Sequence, residues 1–124
     1  MNQELQLGGL AAEINTLHDA AEQMAKSALH YAARCGEKLN QAKAQVKHGE
    51  WIQWLEKHCK ISRRQAVKYM RLAIEMPELI SNEPPGAHLD SINTAMAYLS
   101  APEEVKEKAD AHEGTVTEAQ IKQW

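Results

Sequence analysis

The side chains with chemistry to offer lie between positions 57 and 71: Lys57, Lys60, Ser62, Arg63, Arg64, Gln65, Lys68 and Arg71. A guanidinium presents paired donors that match guanine O6 and N7, and a glutamine amide matches the donor–acceptor pair of adenine. Lysine is a flexible point charge suited to phosphate oxygens. Arg64, Lys68 and Arg71 recur at steps of four and three, the spacing of one helix face, with Arg63 beside them at the start. Arg63, Arg64, Gln65 and Lys68 are therefore the expected readers of base edges. Lys57, Lys60 and Arg71 are the expected phosphate contacts, and Ser62 opens the helix that carries the group.

The elements that must position these residues are legible around them. Residues 51–77 read as two short helices joined by a tight turn. The first carries Trp51, Trp54 and Leu55 and ends near Cys59. Ser62 has the character of an N-cap, and Gln65 three residues on completes the pattern of a capping box. In the second helix Ala66, Val67, Met70, Ala73 and Ile74 are expected to form the buried stripe. Pro77 lacks a backbone donor and closes the helix. An apolar-backed helix that presents cations after a short turn suits a DNA major groove.

Charge is distributed to the same effect. The net charge of −3 divides into −3 over residues 1–33, +6 over 34–77 and −6 over 78–124. The basic block coincides with the helix pair, which favours a polyanionic partner there. The bland alternative is a solvated basic face balanced by an acidic tail.

Upstream, Leu10, Ile14, Leu17, Ala21, Met24, Ala28, Tyr31 and Cys35 alternate steps of four and three, a heptad seam. With one extra step of four it continues through Leu39, Ala42 and Val46. Residues 10–46 thus predict a helix of roughly 55 Å, with residues 1–9 a loose start. Gly36 is its expected weak point, able to bend or split it. Ala11, Ala21, Ala25, Ala28 and Ala32 would allow close helix approach. Such a seam needs cover, either from the rest of the chain or from a second copy, and a homodimer through residues 10–46 is the expectation. Gly49 fits the end of this helix. Trp51 and Trp54 share a face and are expected to anchor the helix pair against it.

Downstream, Asn82 and Pro84-Pro85-Gly86 are turn chemistry within a connection over residues 78–88, the candidate hinge. Asp90 or Ser91 can cap a helix with Ile92, Ala95, Met96 and Leu99 on one side. Ser100 and Glu103 suggest a second capping box before a helix with Val105 and Ala109. Thr117 and Gln120 suggest a third, before a short helix with Ile121. Trp124 implies either a fragment or a side chain docked on the body. The division read from the chain is 1–49, a long dimerisation segment; 50–77, the helix pair; and 78–124, an acidic helical segment. The fold class is all-α.

The residues His48-Gly49-Glu50-Trp51, Trp54-Leu55 and Ser62 through Leu72 (SRRQAVKYMRL) resemble a family of proteins from phages, plasmids and other mobile elements. That family joins a long helical segment to a helix-turn-helix-like unit, and the resemblance covers residues 10–75. More loosely, Met76-Pro77-Glu78, Ser91 to Leu99, Ala101-Pro102-Glu103-Glu104 and Gly114-Thr115-Val116-Thr117 are similar to the DNA-binding middle of ParB-type partition proteins. The nucleotide-binding part of those proteins has no counterpart here. Against the general helix-turn-helix pattern, Leu55, Cys59, Ile61, Ala66 and Tyr69 fall on apolar positions. Glu56 stands where Ala is usual, and Lys60 where Gly is usual, so the turn must be strained or of another kind.

The sequence speaks against other classes. No run approaches the roughly 20 apolar residues of a membrane span. No signal segment follows Met1, which points to the cytoplasm of a bacterial host cell. Cys35 and Cys59 read as buried free thiols, without the paired spacing of a zinc site. The six histidines form no ligand pair at i, i+4 and no triad candidate, and no Gly-rich phosphate loop is present. No enzyme, cofactor or metal is expected. The reading is a duplex-DNA-binding regulator or partition-like factor. The alternative is a protein-binding module that inhibits or redirects a host protein and binds no DNA.

Overall fold

A computed structural model describes the backbone of residues 3–81 and 88–124, and the side chains within these except at 3–9, 14, 15 and 17–22. Its elements are six α-helices: α1 (Gln3–Gln45), α2 (Trp51–His58), α3 (Arg63–Glu75), α4 (Ile92–Ser100), α5 (Glu103–Ala111) and α6 (Glu118–Gln123). A 3-10 turn at Pro77–Leu79 follows α3. The all-α class holds: among the described residues the β content is one isolated parallel bridge, Leu89 with Val116. No helix among them is long and apolar enough to cross a membrane. The candidate hinge at Pro84-Pro85-Gly86 lies outside the described residues.

α1 is longer than the seam implied. Helix begins at Gln3, so the expected loose start is helical from that residue, and it runs unbroken through Gly36. The weak point in propensity is instead a contact point. Gly36 is buried and sits against the backbone of Tyr69 and Met70 in α3. Around it, Leu29, Ala32, Ala33 and Leu39 form the buried stripe of α1, at the spacing of one helix face. Asn40 Nδ2 donates to the Met70 carbonyl at 3.3 Å. His30 bonds the Leu79 carbonyl at 2.7 Å through Nδ1; a carbonyl only accepts, so Nδ1 carries the proton.

Of the seam residues whose side chains are described, Leu39 is buried against the body and those upstream of it are exposed. Leu10, Met24, Ala28, Tyr31 and Cys35 are exposed, Met24 at 71 % and Tyr31 at 63 %. Close approach explains the exchange. Two helix backbones meet only where side chains are small, and Ala32, Ala33 and Gly36 are smaller than Met24, Ala28 and Tyr31 taken together. Cys35, expected to be buried, is exposed, while Cys59 is half-buried; both are free thiols.

Two apolar clusters hold the fold. The larger joins Leu29, Ala32 and Ala33 of α1 to Leu72 of α3, Ala95 of α4, Ala109 of α5 and Ile121 of α6. The smaller joins Leu39, Leu55 and Ala66, flanked by Trp51, Cys59 and Ile61; Tyr69 packs against both clusters. Val105 and Ala109 are buried as expected. Trp124 packs on the larger cluster with its ring 5.5 Å from that of His112.

Caps and turns follow local chemistry. Gly49, between α1 and α2, has φ 88, the left-handed conformation that suits glycine. Ser91 caps α4 by accepting from Thr94 N. Thr117 and Gln120 form the full reciprocal box at α6. The box expected at Ser100 is absent. Ser100 ends α4, and α5 starts from Pro102 without a side-chain cap. Val116 N donates to the His88 carbonyl at 2.7 Å, which ties the α5–α6 turn to the strand-like approach to α4.

Candidate nucleic-acid interface

The start of α3 is fixed by Ser62, whose hydroxyl accepts from Gln65 N at 3.1 Å. Gln65 does not return a bond to the Ser62 backbone. Its Oε1 takes the Ser62 hydroxyl at 3.4 Å, so only the forward half of the expected box forms. Cys59 leaves α2 extended (φ −121, ψ 148), and Ser62 is extended at φ −73, ψ 156. Leu55 and Ala66 are buried across this turn, and Cys59, Ile61 and Tyr69 pack around them. Trp51 and Trp54 stack on one another at 5.6 Å and 15°.

α3 is rotated about its axis relative to the expected stripe. Ala66, Leu72, Ala73 and Met76 are buried, but Val67 is 65 % exposed and Ile74 69 %. Ala66 and Ala73 lie seven residues apart, and so do Val67 and Ile74. Periodicity allows either pair to face inward. The close crossing at Gly36 selects the alanines, and the larger pair turns out to solvent beside the cations.

The predicted site residues divide into two groups. Lys57, Lys60, Ser62, Arg63, Arg64 and Gln65 are exposed at the start of α3 and on the end of α2. Lys57, Lys60, Arg63 and Arg64 have no hydrogen bond or ion pair among the described residues. Lys68 and Arg71 are half-buried and engaged. Lys68 Nζ donates to Asn93 Oδ1 at 3.1 Å. Arg71 pairs with Glu75 and donates through Nη1 to Ser100 Oγ at 3.0 Å. These bonds tie α3 to α4, and nothing in the sequence pattern marked Asn93 or Ser100 as partners.

The electrostatics of the first group are unfavourable to the fold alone. Arg63 and Arg64 occupy the first turn of α3, which holds no acid. The backbone N–H groups there form the positive end of the helix dipole. Two unpaired cations at that end break a local rule without an internal compensation, as residues at functional sites do. The favoured occupant of such a place is an anion.

Beside this end lies an open groove lined by Cys35, Leu39, Cys59, Lys60, Gln65 and Tyr69. Partial burial there raises the Cys35 thiol pKa, with Cys59 as a smaller cause. A second groove, on the α4 side, is lined by Gln65, Lys68, Tyr69, Ser91, Ile92 and Asn93. Gln65 stands between the two. Among the described residues no group of three or more His, Cys, Asp or Glu is placed to hold a metal ion.

Fold and site together define an all-α protein in which a long helix carries a compact body and displays the cationic start of a short helix. The chain belongs to the family described as "Protein of unknown function (DUF3102)", which it matches over residues 8–115. No curated protein and no solved structure matches it.

Proposed function

We propose that this is a DNA-binding protein of phage or other mobile-element origin, acting in the cytoplasm of a bacterial host as a regulator or partition-like factor. In this reading α2 and α3 serve as a helix-turn-helix-like unit, and α3 reads duplex DNA. The protein works as a homodimer through residues 10–46 and performs no catalysis. The observation that carries the reading is the pair Arg63 and Arg64, exposed and unpartnered at the positive end of α3. Phosphate or a base edge relieves what the fold leaves uncompensated there. Arg63, Arg64 and Gln65 take the base edges, with Val67 beside them able to meet a thymine methyl. Lys57 and Lys60 take phosphates. Lys68 and Arg71 hold α3 against α4 and reach the duplex from the flank.

A second reading is favoured by Val67 and Ile74. Exposed apolar residues beside cations also suit a protein partner, in which case the chain inhibits or redirects a host protein and binds no DNA. Gel-shift titration with random duplex separates the two. Lys57 and Lys60 of two copies make four phosphate contacts and a salt slope of about −4, so raising salt from about 50 to 200 mM weakens binding roughly a hundredfold. Absence of duplex binding at the lower salt overturns the DNA reading and leaves the second.

A further inference from the structure

We infer that Cys35 and Cys59 form a thiol-modification site. A low-molecular-weight disulfide of the glutathione class converts the pair to a Cys35–Cys59 disulfide that ties α1 to the segment between α2 and α3. The two residues are far apart in the chain and belong to different elements, yet both line the open groove beside the start of α3. Both are free thiols, Cys35 exposed and Cys59 half-buried. They also sense one another: after partial burial, Cys59 is the second cause that raises the Cys35 thiol. Leu39, Ile61 and Tyr69 line the same groove. Such surroundings favour an uncharged disulfide over a thiolate.

The two sides of the groove differ in what they can give. A disulfide needs Cα atoms no more than about 7 Å apart. Cys35 is held mid-helix, next to Gly36, where α1 meets the backbone of α3. Cys59 has already left α2, with extended backbone, and α3 begins only at Arg63. Adjustment therefore falls on residues 59–62, outside both helices.

The chemistry is thiol–disulfide exchange and balances without a metal. The Cys35 thiolate attacks one sulfur of R–S–S–R. The S–S bond breaks, and the leaving thiolate takes up the proton that Cys35 released, giving a mixed disulfide and one R–SH. The Cys59 thiolate then attacks the Cys35 sulfur, and a second R–SH leaves. Two protein thiols are oxidised and one R–S–S–R is reduced to two R–SH. Because its pKa is raised, Cys35 holds little thiolate at neutral pH, so the first step is slow unless the disulfide reagent is abundant.

The link has a consequence for the cations. Lys60 follows Cys59 and lines the same groove. Drawing Cys59 to α1 takes Lys60 with it, off the phosphate position assigned above. This consequence rests on the DNA-binding reading; the thiol site does not.

The test equilibrates dilute full-length protein in oxidised and reduced glutathione, blocks free thiols with N-ethylmaleimide and digests with trypsin. Cleavage after Arg34, Lys38, Lys57 and Lys60 leaves the cysteines on peptides 35–38 and 58–60. These two peptides are expected to be joined within one chain. At equal reduced glutathione, half-conversion is expected at roughly tenfold less oxidised glutathione than Cys59→Ser needs to form its mixed disulfide, because the second step is intramolecular. Mixed disulfides without a 35–59 link, a 35–35 link between two chains, or equal demand for oxidised glutathione in the two proteins overturns the site. Gel shifts on reduced and linked protein test the consequence. Losing Lys60 of two copies is expected to change the salt slope from about −4 to about −2. Linked protein that binds duplex as the reduced form does overturns the consequence and leaves the site standing. Absence of duplex binding by the reduced form overturns the DNA reading, and with it the consequence, while the peptide result is unaffected.

Discussion

Gly36 of α1 lies directly against Tyr69 of α3. A Cβ built on Gly36 would stand 1.8 Å from the Tyr69 carbonyl oxygen and 2.9 Å from Met70 N. Both are backbone atoms, so no side-chain rotation can relieve the overlap. The crossing of the two helices, and with it the face that α3 shows to solvent, depends on a hydrogen in that place.

Gly36→Ala is therefore expected to destabilise the protein, although alanine is the better helix former by about 1 kcal/mol. Overpacking against a fixed backbone, about 3 kcal/mol, outweighs that gain, with a net loss of about 2 kcal/mol. Urea denaturation compared with wild type checks it. A midpoint equal to or above the wild-type value would show that the helices do not cross at this residue.

The same contact explains what the sequence could and could not tell. Helix types, and the caps at Ser62, Ser91 and Thr117, follow from local chemistry and were legible. The orientation of the helices was not. A stripe search ranks Val67, Ile74, Met24 and Tyr31 above alanine and glycine, because hydrophobicity alone favours the larger side chains. Ala66 and Ala73 of the expected stripe are buried, but close helix crossing inverts the ranking elsewhere, burying Ala32, Ala33 and Gly36 and leaving Val67 and Ile74 exposed. The cations of the site were legible by type and position. Their division into free Arg63 and Arg64 and engaged Lys68 and Arg71 was not, since it depends on Asn93 and Ser100, which approach only in three dimensions.

Reversing charge at the start of α3 is expected to separate stability from function. Arg63→Glu and Arg64→Glu each place an acid at the positive end of the helix dipole. Each should stabilise the fold by about 0.3–1 kcal/mol at low salt while weakening duplex binding sharply. Thermal melts and gel shifts on the same preparations give both numbers. A loss of stability would mean that these arginines have internal partners, contrary to the structure.

Tyr98 supplies a pH signature for the packing of α4 on α5. Burial, and then its hydrogen bond to Asp110 at 2.8 Å, push the Tyr98 hydroxyl up to about 12. The unfolded value is about 10. Because the folded pKa is the higher one, the contribution is complete below about pH 10 and is lost as pH rises toward 12. The stability difference between wild type and Tyr98→Phe should therefore shrink between about pH 10 and 12 in denaturant titrations. A difference that stays constant over that range would contradict the Tyr98–Asp110 bond.

The claim that the cations opening α3 read duplex DNA is tested most directly by binding-site selection from a random duplex pool at near-physiological salt, repeated with Arg64→Ala. Wild type is expected to enrich a defined sequence, and Arg64→Ala to bind it about 1–3 kcal/mol more weakly with relaxed preference at one position. No enrichment by wild type, or the same sequence selected and bound equally by Arg64→Ala, would contradict it.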